Sequence, residues 1–366
     1  MADHRTTVVI PNYNGIKYIA DCLDSLLAGT VVPEIIVVDN ASADGSFELV
    51  RDSYPQVRLL RLKVNTGFCH AVNSGLRLTR TEYVMLLNND TRVEKDAVEK
   101  LAAGLMQRKK CFAVQARMLS MRDPSVLDDA GDEYCALGWA YPRGKAKPAD
   151  SYPKAGEIFS ACAGAAMYRR EVFDRIGYFD ERHYCYLEDI DISYRARIYG
   201  YYCYYLPDAT VYHAGSASSG AVHNEFKERM AAGNNRYLLW KNMPAVQYGL
   251  NYPLFRLGEK VKQRYFDRRG LGDAWADGLT RGSYLIRRAK YISGERKADL
   301  PTKGTISEEA GTELFSSGPE KSAGDEPAAV HPLYLGEKVK FSPINLPNYV
   351  KIQLLLWKNI AGRFTN

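Results

Sequence analysis

The sequence has no run of about 18 consecutive apolar residues, so we expect no membrane-spanning helix. Its first residues, MADHRTTVVIPNYNG, lack the apolar core of a signal peptide, which favours a cytoplasmic protein. The seven cysteines are scattered without a C-x-x-C pair, a pattern that argues against a zinc site and fits reduced thiols. The G-x-G-x-x-G pattern of a nicotinamide-binding loop is also absent.

The net charge of +6 is unevenly distributed along the chain. Residues 256–297 carry twelve Lys and Arg against five Asp and Glu, and residues 332–366 carry five against one. The rest of the chain is therefore mildly acidic. This distribution predicts that the C-terminus meets an anionic surface, and it argues against nucleic acid, because a nucleic-acid-binding core would itself carry the basic excess.

Short β-branched runs alternate with helical patterns through the first hundred residues, which predicts βαβ units and a mostly parallel, buried sheet. The predicted strands are Thr7–Ile10, Glu34–Val38, Val57–Arg61 and Tyr83–Leu87. The predicted helices are Ile16–Leu27, Ser46–Asp52, Phe68–Thr79 and Glu94–Arg108. Further along, the small-residue run Ala161–Met167 predicts a tightly packed strand.

Polar residues follow all four predicted strands. The four segments are Pro11–Gly15, Asp39–Gly45, Asn65–Phe68 and Asn88–Asp90. Asn, Asp, Gly and Ser are also ordinary turn formers and helix caps, so any one of these segments could be structural. Because the carboxyl ends of parallel strands meet at one edge of a sheet, the four together predict a shared polar cleft.

Acidic residues and one histidine are the candidates for chemistry. Asp90 ends a buried strand and could bind a metal or cap the next helix. Glu188, Asp189 and Asp191 would repel one another without a cation nearby, and a helix beginning near Glu188 would favour them in its first turn, a structural role that suits Asp191 best. His213 follows another apolar run, where a lone histidine is more often structural than a ligand.

Seven ordered segments between about Thr7 and Ser216 resemble family-2 glycosyltransferases of the GT-A fold, most closely the bacterial branch that includes rhamnosyltransferases. The segments are VVIPNYNG, VVDNASADGS, NTGFCHAVNSG, LLNND, GAAMYRREVFDRIGYFDE, YLEDIDISYRAR and VYHAGS. The resemblance implies a Rossmann-like, mostly parallel central sheet flanked by helices. It also implies a nucleotide-diphosphate sugar donor and Mn²⁺ or Mg²⁺.

The resemblance assigns roles residue by residue. The residues implied to hold the nucleotide sugar are Pro11, Asn12, Tyr13, Asp39, Asn40, Asn65, Gly67, Asn73, Asn88 and Asn89. It further implies that Asp90 and His213 bind the metal and that Asp189 is the general base, supported by Glu188. The family's D-x-D element reads Asn88-Asn89-Asp90 here, so its first carboxylate is missing and strict metal dependence becomes an open question.

The resemblance implies an inverting transfer by single displacement, and the branch it points to favours L-rhamnose from dTDP-rhamnose, moved to a hydroxyl of a lipid-linked or polysaccharide acceptor. A UDP-hexose donor and a non-catalytic scaffold are the alternatives. A nucleotidyltransferase would need a Gly-rich, basic triphosphate loop after the first strand, and Pro11–Gly15 is not one.

The predicted organisation is a catalytic domain at 1–235, a basic helical extension at 236–298, a disordered linker at 299–331 and a basic amphipathic segment at 332–366. In the last of these, Val350, Leu354, Trp357 and Ile360 are interspersed with basic residues. That pattern fits either an interfacial helix beside anionic lipid, at the inner face of the cell membrane, or a helix docked on the catalytic domain or on a second subunit of a homo-oligomer.

Overall fold

The structure is a computed structural model that describes residues 2–215, 223–292 and 338–365. The elements up to residue 106 are β1 (Ala2–Asn12), α1 (Ile19–Leu27), β2 (Val32–Asp39), α2 (Ser46–Ser53), β3 (Arg58–Arg61), α3 (Phe68–Leu78), β4 (Tyr83–Leu87), β5 (Thr91–Val93) and α4 (Ala97–Met106). The elements from residue 111 to residue 213 are β6 (Cys111–Ser120), β7 (Leu127–Asp129), β8 (Asp132–Cys135), β9 (Trp139–Pro142), β10 (Gly156–Ile158), β11 (Ala165–Arg169), α5 (Arg170–Ile176), α6 (Glu188–Ile198) and β12 (Tyr202–His213). The C-terminal helices are α7 (Glu225–Asn242), α8 (Ala245–Asp267), α9 (Gly272–Ile292) and α10 (Leu346–Thr365).

Ten strands form one mixed sheet in the order β10-β12-β6-β11-β4-β1-β2-β3, with β5 paired to β12 and β7 to β6. Strand β11 is antiparallel to both β4 and β6, so β3, β2, β1, β4, β6 and β12 all run in the same direction. The predicted α/β architecture with a mostly parallel sheet is therefore confirmed. The carboxyl ends of β1, β2, β4, β6 and β12 lie along one edge, which is where ligands bind in such sheets.

Helices cover both faces of the sheet. The alternation of side chains along β4 shows how: Met85 and Leu87 pack with residues of α1, α2 and α4, whereas Val84 and Leu86 pack with residues of α3, α5 and α6. All four side chains are fully buried. Burial of each contributes about 1.5–3 kcal/mol, which is why a strand covered on both faces reads as a continuous apolar run.

Several element boundaries differ from the prediction. Helix α1 begins at Ile19 because the Gly15 carbonyl first accepts the N–H groups of Tyr18 and Ile19 in a turn. Helix α4 begins at Ala97 because Thr91–Val93 form β5 and the next residues form a turn, in which the Ala97 N–H donates to the Glu94 carbonyl. The strand predicted for Ala161–Met167 is wrong in its first part: residues 161–164 form a turn, and β11 begins only at Ala165. Strand β4 has the bounds that the sequence predicts.

Helix α10 docks on elements that precede it in the chain. Its buried residues Tyr349, Ile352 and Leu356 pack in one cluster with residues of β8, α6, α7 and α8. Helix α7 runs without interruption through the predicted boundary at residue 235, and the domain limits remain predictions. The predicted linker at 299–331 lies outside the described residues. Among the described helices, none combines the length and apolar character needed to cross a bilayer.

Candidate active site

Asparagine side chains tie together the ends of β1, β2 and β4. The Asn12 amide donates to Asp39 Oδ1 (3.0 Å) and to Ser46 Oγ (2.9 Å), and Asn12 Oδ1 accepts from Asn89 Nδ2 (2.7 Å). Asn12, Asp39 and Asn89 are all buried. The three predicted binding residues therefore meet at the sheet edge, where they form a hydrogen-bonded floor to the cleft.

A second cluster joins β2 to the loop before α3. Asn40 Nδ2 donates to Asn65 Oδ1 (2.9 Å), and Asn40 Oδ1 accepts the N–H of Thr66 (2.9 Å). The hydroxyl of Tyr184 also donates to Asn65 Oδ1, at 3.2 Å. At Gly67, φ is +84°, and a β-carbon there would lie 2.4 Å from the Tyr184 ring, so only glycine fits.

Pro11 and Tyr13, at the end of β1, are also predicted to hold the nucleotide. They are more exposed to solvent than the buried asparagines. Pro11 is half-buried, and the Tyr13 side chain just beyond the strand is 39% exposed. Both are therefore accessible to a ligand at the rim of the cleft.

Asn73 makes its hydrogen bonds within the protein. It is fully buried on α3; its amide donates to the Phe179 carbonyl (2.9 Å) and to Glu181 Oε1 (3.0 Å), and its Oδ1 accepts the Phe179 N–H (3.1 Å). With its hydrogen-bonding groups used in this way, Asn73 fastens α3 to the loop before α6. The place beside the nucleotide that the resemblance implies for it stays a prediction.

Asp90 and His213 meet where β4 and β12 end. Asp90 Oδ1 lies 3.3 Å from His213 Nε2, and Asn88 Nδ2 lies 3.5 Å from the same nitrogen. On its other side, the imidazole Nδ1 lies 2.7 Å from Oδ2 of Asp128, a residue of β7. Asp128 thus fixes the orientation of the ring and directs Nε2 towards Asp90. Burial lowers the pKa of His213, but hydrogen bonds and charges from Asp128 and Asp90 outweigh it and raise the pKa to about 9.

This arrangement fits a divalent cation. Once His213 has released its Nε2 proton, a carboxylate oxygen and an imidazole nitrogen 3.3 Å apart can be neighbouring ligands of one ion, and the Asp128 carboxylate supplies the usual partner of a metal-binding histidine. A second group, Asp129, Asp132 and Cys162, has its ligand atoms within 4.8 Å of one another. Burial raises the pKa values of Asp132 and Cys162 well above their ordinary values, and Asp132 also hydrogen bonds to Asp189.

Asp189 lies in the first turn of α6, beside the buried Glu188 and the half-buried Asp132. Burial raises its pKa to about 6, against hydrogen bonds from the Ile190 N–H and from Asp132 that lower it. The pKa of Glu188 rises to about 8 through burial and the neighbouring Asp189. Among the described residues, Glu188 Oε2 is buried without a hydrogen-bond partner. Asp189 is therefore ionised near neutral pH, while Glu188 keeps its proton there.

Asp191, the third acid of the motif, belongs to a buried ionic network. Its carboxylate accepts from Lys241 Nζ (2.8 Å), Arg195 Nε (3.1 Å) and Asn242 Nδ2 (2.8 Å), and Lys241 also donates to Asp180 (2.8 Å). Burial raises the pKa of Asp191, but Lys241 and Arg195 outweigh it and hold the pKa well below its usual range. Asp191 is thus structural, and it anchors the first turn of α6 two residues after Asp189.

Sequence reasoning missed the acids of the segment 128–132, which connects the two parts of the site. Asp128 contacts His213, and Asp132 contacts Asp189. The run LDDAGDE offered a signal, since four acids within seven residues are as unusual as the motif at Glu188. Its role was hidden because Asp128 and His213 are 85 residues apart in the chain.

Comparisons with known proteins show which proteins the chain is similar to. Residues 7–177 match the family model described as Glycosyl transferase family 2. The chain is 26% identical over 240 residues to an N-acetylglucosaminyl-diphospho-decaprenol L-rhamnosyltransferase of Mycobacterium tuberculosis, covering 58% of this chain and 77% of that protein. It is 25% identical over 239 residues to a poly-beta-1,6-N-acetyl-D-glucosamine synthase of Staphylococcus epidermidis, covering 64% of this chain and 56% of the relative.

The fold has a solved counterpart in GalNAc-T7, whose crystal structure contains UDP, GalNAc and Mn²⁺. The two structures superpose with a TM-score of 0.54 at 15% sequence identity, over 79% of this chain and 57% of the other. At this identity the likeness shows the shared fold alone, which is the GT-A fold that the sequence motifs predict.

Proposed function

Because residues 7–177 form a glycosyltransferase domain of family 2 and the chain is a glycosyltransferase, we propose that it transfers L-rhamnose from dTDP-rhamnose to a hydroxyl of a lipid-linked or polysaccharide acceptor. The proposed donor sugar and lipid-linked acceptor are supported by the rhamnosyltransferase relative, of which the chain covers 77%. We place this reaction in the cytoplasm, at the inner face of the cell membrane.

The observation that supports the proposal is that one segment connects the candidate base, Asp189, to the pair formed by Asp90 and His213. Asp128 orients His213 beside Asp90, and Asp132, four residues later, hydrogen bonds to Asp189. A sugar transferase needs these two features close together, since the leaving diphosphate and the acceptor hydroxyl react at the same anomeric carbon.

In the proposed mechanism, Asp90 and His213 hold Mn²⁺ or Mg²⁺, which when bound would neutralise the leaving diphosphate. Asp189 accepts the proton of the acceptor hydroxyl as the hydroxyl attacks the anomeric carbon. Its pKa of about 6 suits this role, because the carboxylate is ionised at neutral pH yet is a stronger base than an exposed aspartate. A single displacement without an enzyme nucleophile inverts the anomeric centre.

Glu188 supports the base in this scheme. Its buried carboxyl retains a proton near neutral pH and has an oxygen without a hydrogen-bond partner in the described structure. A buried polar atom of this kind is costly unless a ligand satisfies it. We therefore infer that Glu188 hydrogen bonds to a hydroxyl of the bound sugar or acceptor.

The test of the mechanism is Asp189→Asn. We expect transfer to fall by about 10²–10⁴-fold, because the amide cannot take the proton, while nucleotide binding and the melting temperature change little. The readout is product mass on a lipid-linked saccharide acceptor together with a nucleotide-binding titration. Transfer at a near wild-type rate would exclude Asp189 as the base and direct attention to Glu188.

The donor is decided by a separate experiment. A UDP-hexose is the second candidate, favoured by the poly-N-acetylglucosamine synthase relative. A panel of nucleotide sugars, assayed with and without Mn²⁺, distinguishes the two. Binding of no nucleotide sugar, and no effect of Mn²⁺, would instead support a scaffold protein.

A further inference from the structure

The outer face of α8 carries an apolar stripe. Val246, Leu250, Leu257 and Val261 are exposed by 86%, 56%, 52% and 43%. Their spacings of four, seven and four residues place them on one side of the helix. Large apolar side chains exposed in a continuous row mark an interaction surface more often than scattered ones do.

Helix α10 presents a second stripe of the same kind. Leu346, Val350, Leu354 and Trp357 are exposed by 52%, 51%, 59% and 43%, whereas the opposite side of the helix packs against the catalytic part of the chain. Three of these residues belong to the apolar set recognised in the sequence. The docked and the interfacial interpretations of this helix are thus compatible, because they concern opposite faces.

Hydrogen bonds fasten the two helices together. Asn251 Nδ2 donates to Gln353 Oε1 (2.7 Å), and Gln353 Nε2 donates back to Asn251 Oδ1 (2.9 Å). Trp357, a member of the α10 stripe, donates its indole N–H to the same Asn251 oxygen (3.1 Å). The eight exposed residues therefore belong to one two-helix unit, which we call the α8–α10 face.

Basic side chains flank this face. Arg256, Lys260 and Arg264 are exposed beside the α8 stripe, and Lys351 and Lys358 are exposed beside the α10 stripe. Residues 338–365 contain no Asp or Glu. Within α8, Glu259 already pairs with Arg236 and Arg256. The face is therefore apolar along its centre and cationic at its edges.

The apolar centre and the cationic edges together indicate what binds the α8–α10 face. A second copy of the chain would bring one set of basic edges against another, which disfavours a symmetric contact. An anionic bilayer accepts both features, since its acyl boundary takes apolar side chains and its headgroups attract Lys and Arg. We propose that the α8–α10 face docks on an anionic lipid surface.

Docking would bring the catalytic site to the bilayer. Helix α10 contacts α6 through Asn348 Nδ2, which donates to the Ile198 carbonyl (3.0 Å). It contacts β8 through Asn359 Nδ2, which donates to Glu133 Oε2 (2.7 Å). Those elements carry Asp189 and Asp132. The inference that docking brings the enzyme to its acceptor rests on the proposed lipid-linked acceptor. The inference that the face binds lipid does not depend on that acceptor.

The test is vesicle co-flotation of the purified full-length chain. We expect binding to vesicles of phosphatidylcholine with phosphatidylglycerol, weaker binding to phosphatidylcholine alone, and loss of binding at high salt. The double variant Leu250→Glu, Leu354→Glu should lower vesicle partition by more than about tenfold. Met106→Glu, at a residue 54% exposed on α4, is the matched control and should bind like wild type.

Two further measurements distinguish a loss of lipid binding from unfolding and from a loss of catalytic activity. Melting temperatures show whether the variants are folded, and transfer to a short water-soluble acceptor should be unchanged in the double variant. No binding of the wild type to anionic vesicles, or equal binding by the double variant, would overturn the proposal. A wild-type dimer that the double variant dissociates without a change in vesicle partition would assign the face to self-association instead. Failure of Asp189→Asn to abolish transfer would bear on the mechanism and not on docking.

Discussion

Replacing Lys241 by methionine should destabilise the protein strongly. The Lys241 ammonium lies 2.8 Å from a carboxylate oxygen of Asp180 and 2.8 Å from one of Asp191, and all three side chains are at most 1% exposed. Arg195 would still neutralise Asp191 at 3.1 Å, but Asp180 would lose its direct ion pair and retain hydrogen bonds such as that from the Tyr237 hydroxyl, together with the weaker influence of the Arg182 charge. Removing one partner of a buried ion pair costs about 3–5 kcal/mol, and we expect a loss in this range at neutral pH.

The measurement is urea unfolding of the wild type and of Lys241→Met. The two unfolding free energies are compared with the same dependence on urea concentration for both proteins. The matched control is Lys100→Met, because Lys100 pairs with Asp96 at 2.7 Å but is 41% exposed, and its loss should cost about 0–1 kcal/mol. A total stability of about 5–15 kcal/mol leaves the Lys241 variant folded but clearly weakened. A change below about 1 kcal/mol would refute the assignment of this network as a strong constraint on α6.

The effect of Lys241→Met should also depend on pH. The folded-state pKa of Asp191 is depressed, so its ionic contribution is present above the unfolded-state pKa of about 3.9 and is lost as the pH falls through the folded-state pKa. In acid the carboxylates take up protons and no longer need a cation. The difference in unfolding free energy between the two proteins should therefore shrink as the pH falls below about 4.

Three other predictions concern the cleft. The value of kcat/KM should rise with pH through about 6, because Asp189 must lose its proton to act as the base, and a pH–rate profile measures this. Asp128→Asn should weaken Mn²⁺ affinity by about 10–100-fold in a binding titration, because His213 loses the carboxylate that orients it. Gly67→Ala should lower the unfolding free energy by about 1–3 kcal/mol more than Gly45→Ala, since both residues have positive φ but only at Gly67 would a β-carbon clash.

Each of the three has an outcome that contradicts it. An acid limb near pH 4 would show that the base is not Asp189 in its buried environment. Unchanged Mn²⁺ affinity in Asp128→Asn would separate Asp128 from the metal site; Asp52→Asn, on the surface, serves as its control. Equal losses in the two glycine variants would mean that the Tyr184 ring moves aside, and that backbone strain alone sets the cost.

Much of the fold could be predicted because its signals are local. Strand β4 was predicted to the residue, since a strand buried on both faces must be apolar throughout and the polar residues after Leu87 mark its end. The first turn of α6 could be placed at Glu188 because three acids suit a helix N-terminus. The turn before Ala165 could not, because small residues suit a turn and a packed strand equally well.

The sequence by itself determined the order of strands and helices through the first hundred residues and the polar strand ends along one edge. These depend on periodicity and turn chemistry, which act over a few residues, whereas the roles of Asp90, Asp189 and His213 were implied by the resemblance of their motifs to a family. Only the tertiary structure decided that Asp128 orients His213 and that the outer faces of α8 and α10 belong to one surface. Such contacts join residues 85 or more positions apart, and no local preference encodes them; they arise when the packed sheet and helices bring those residues together.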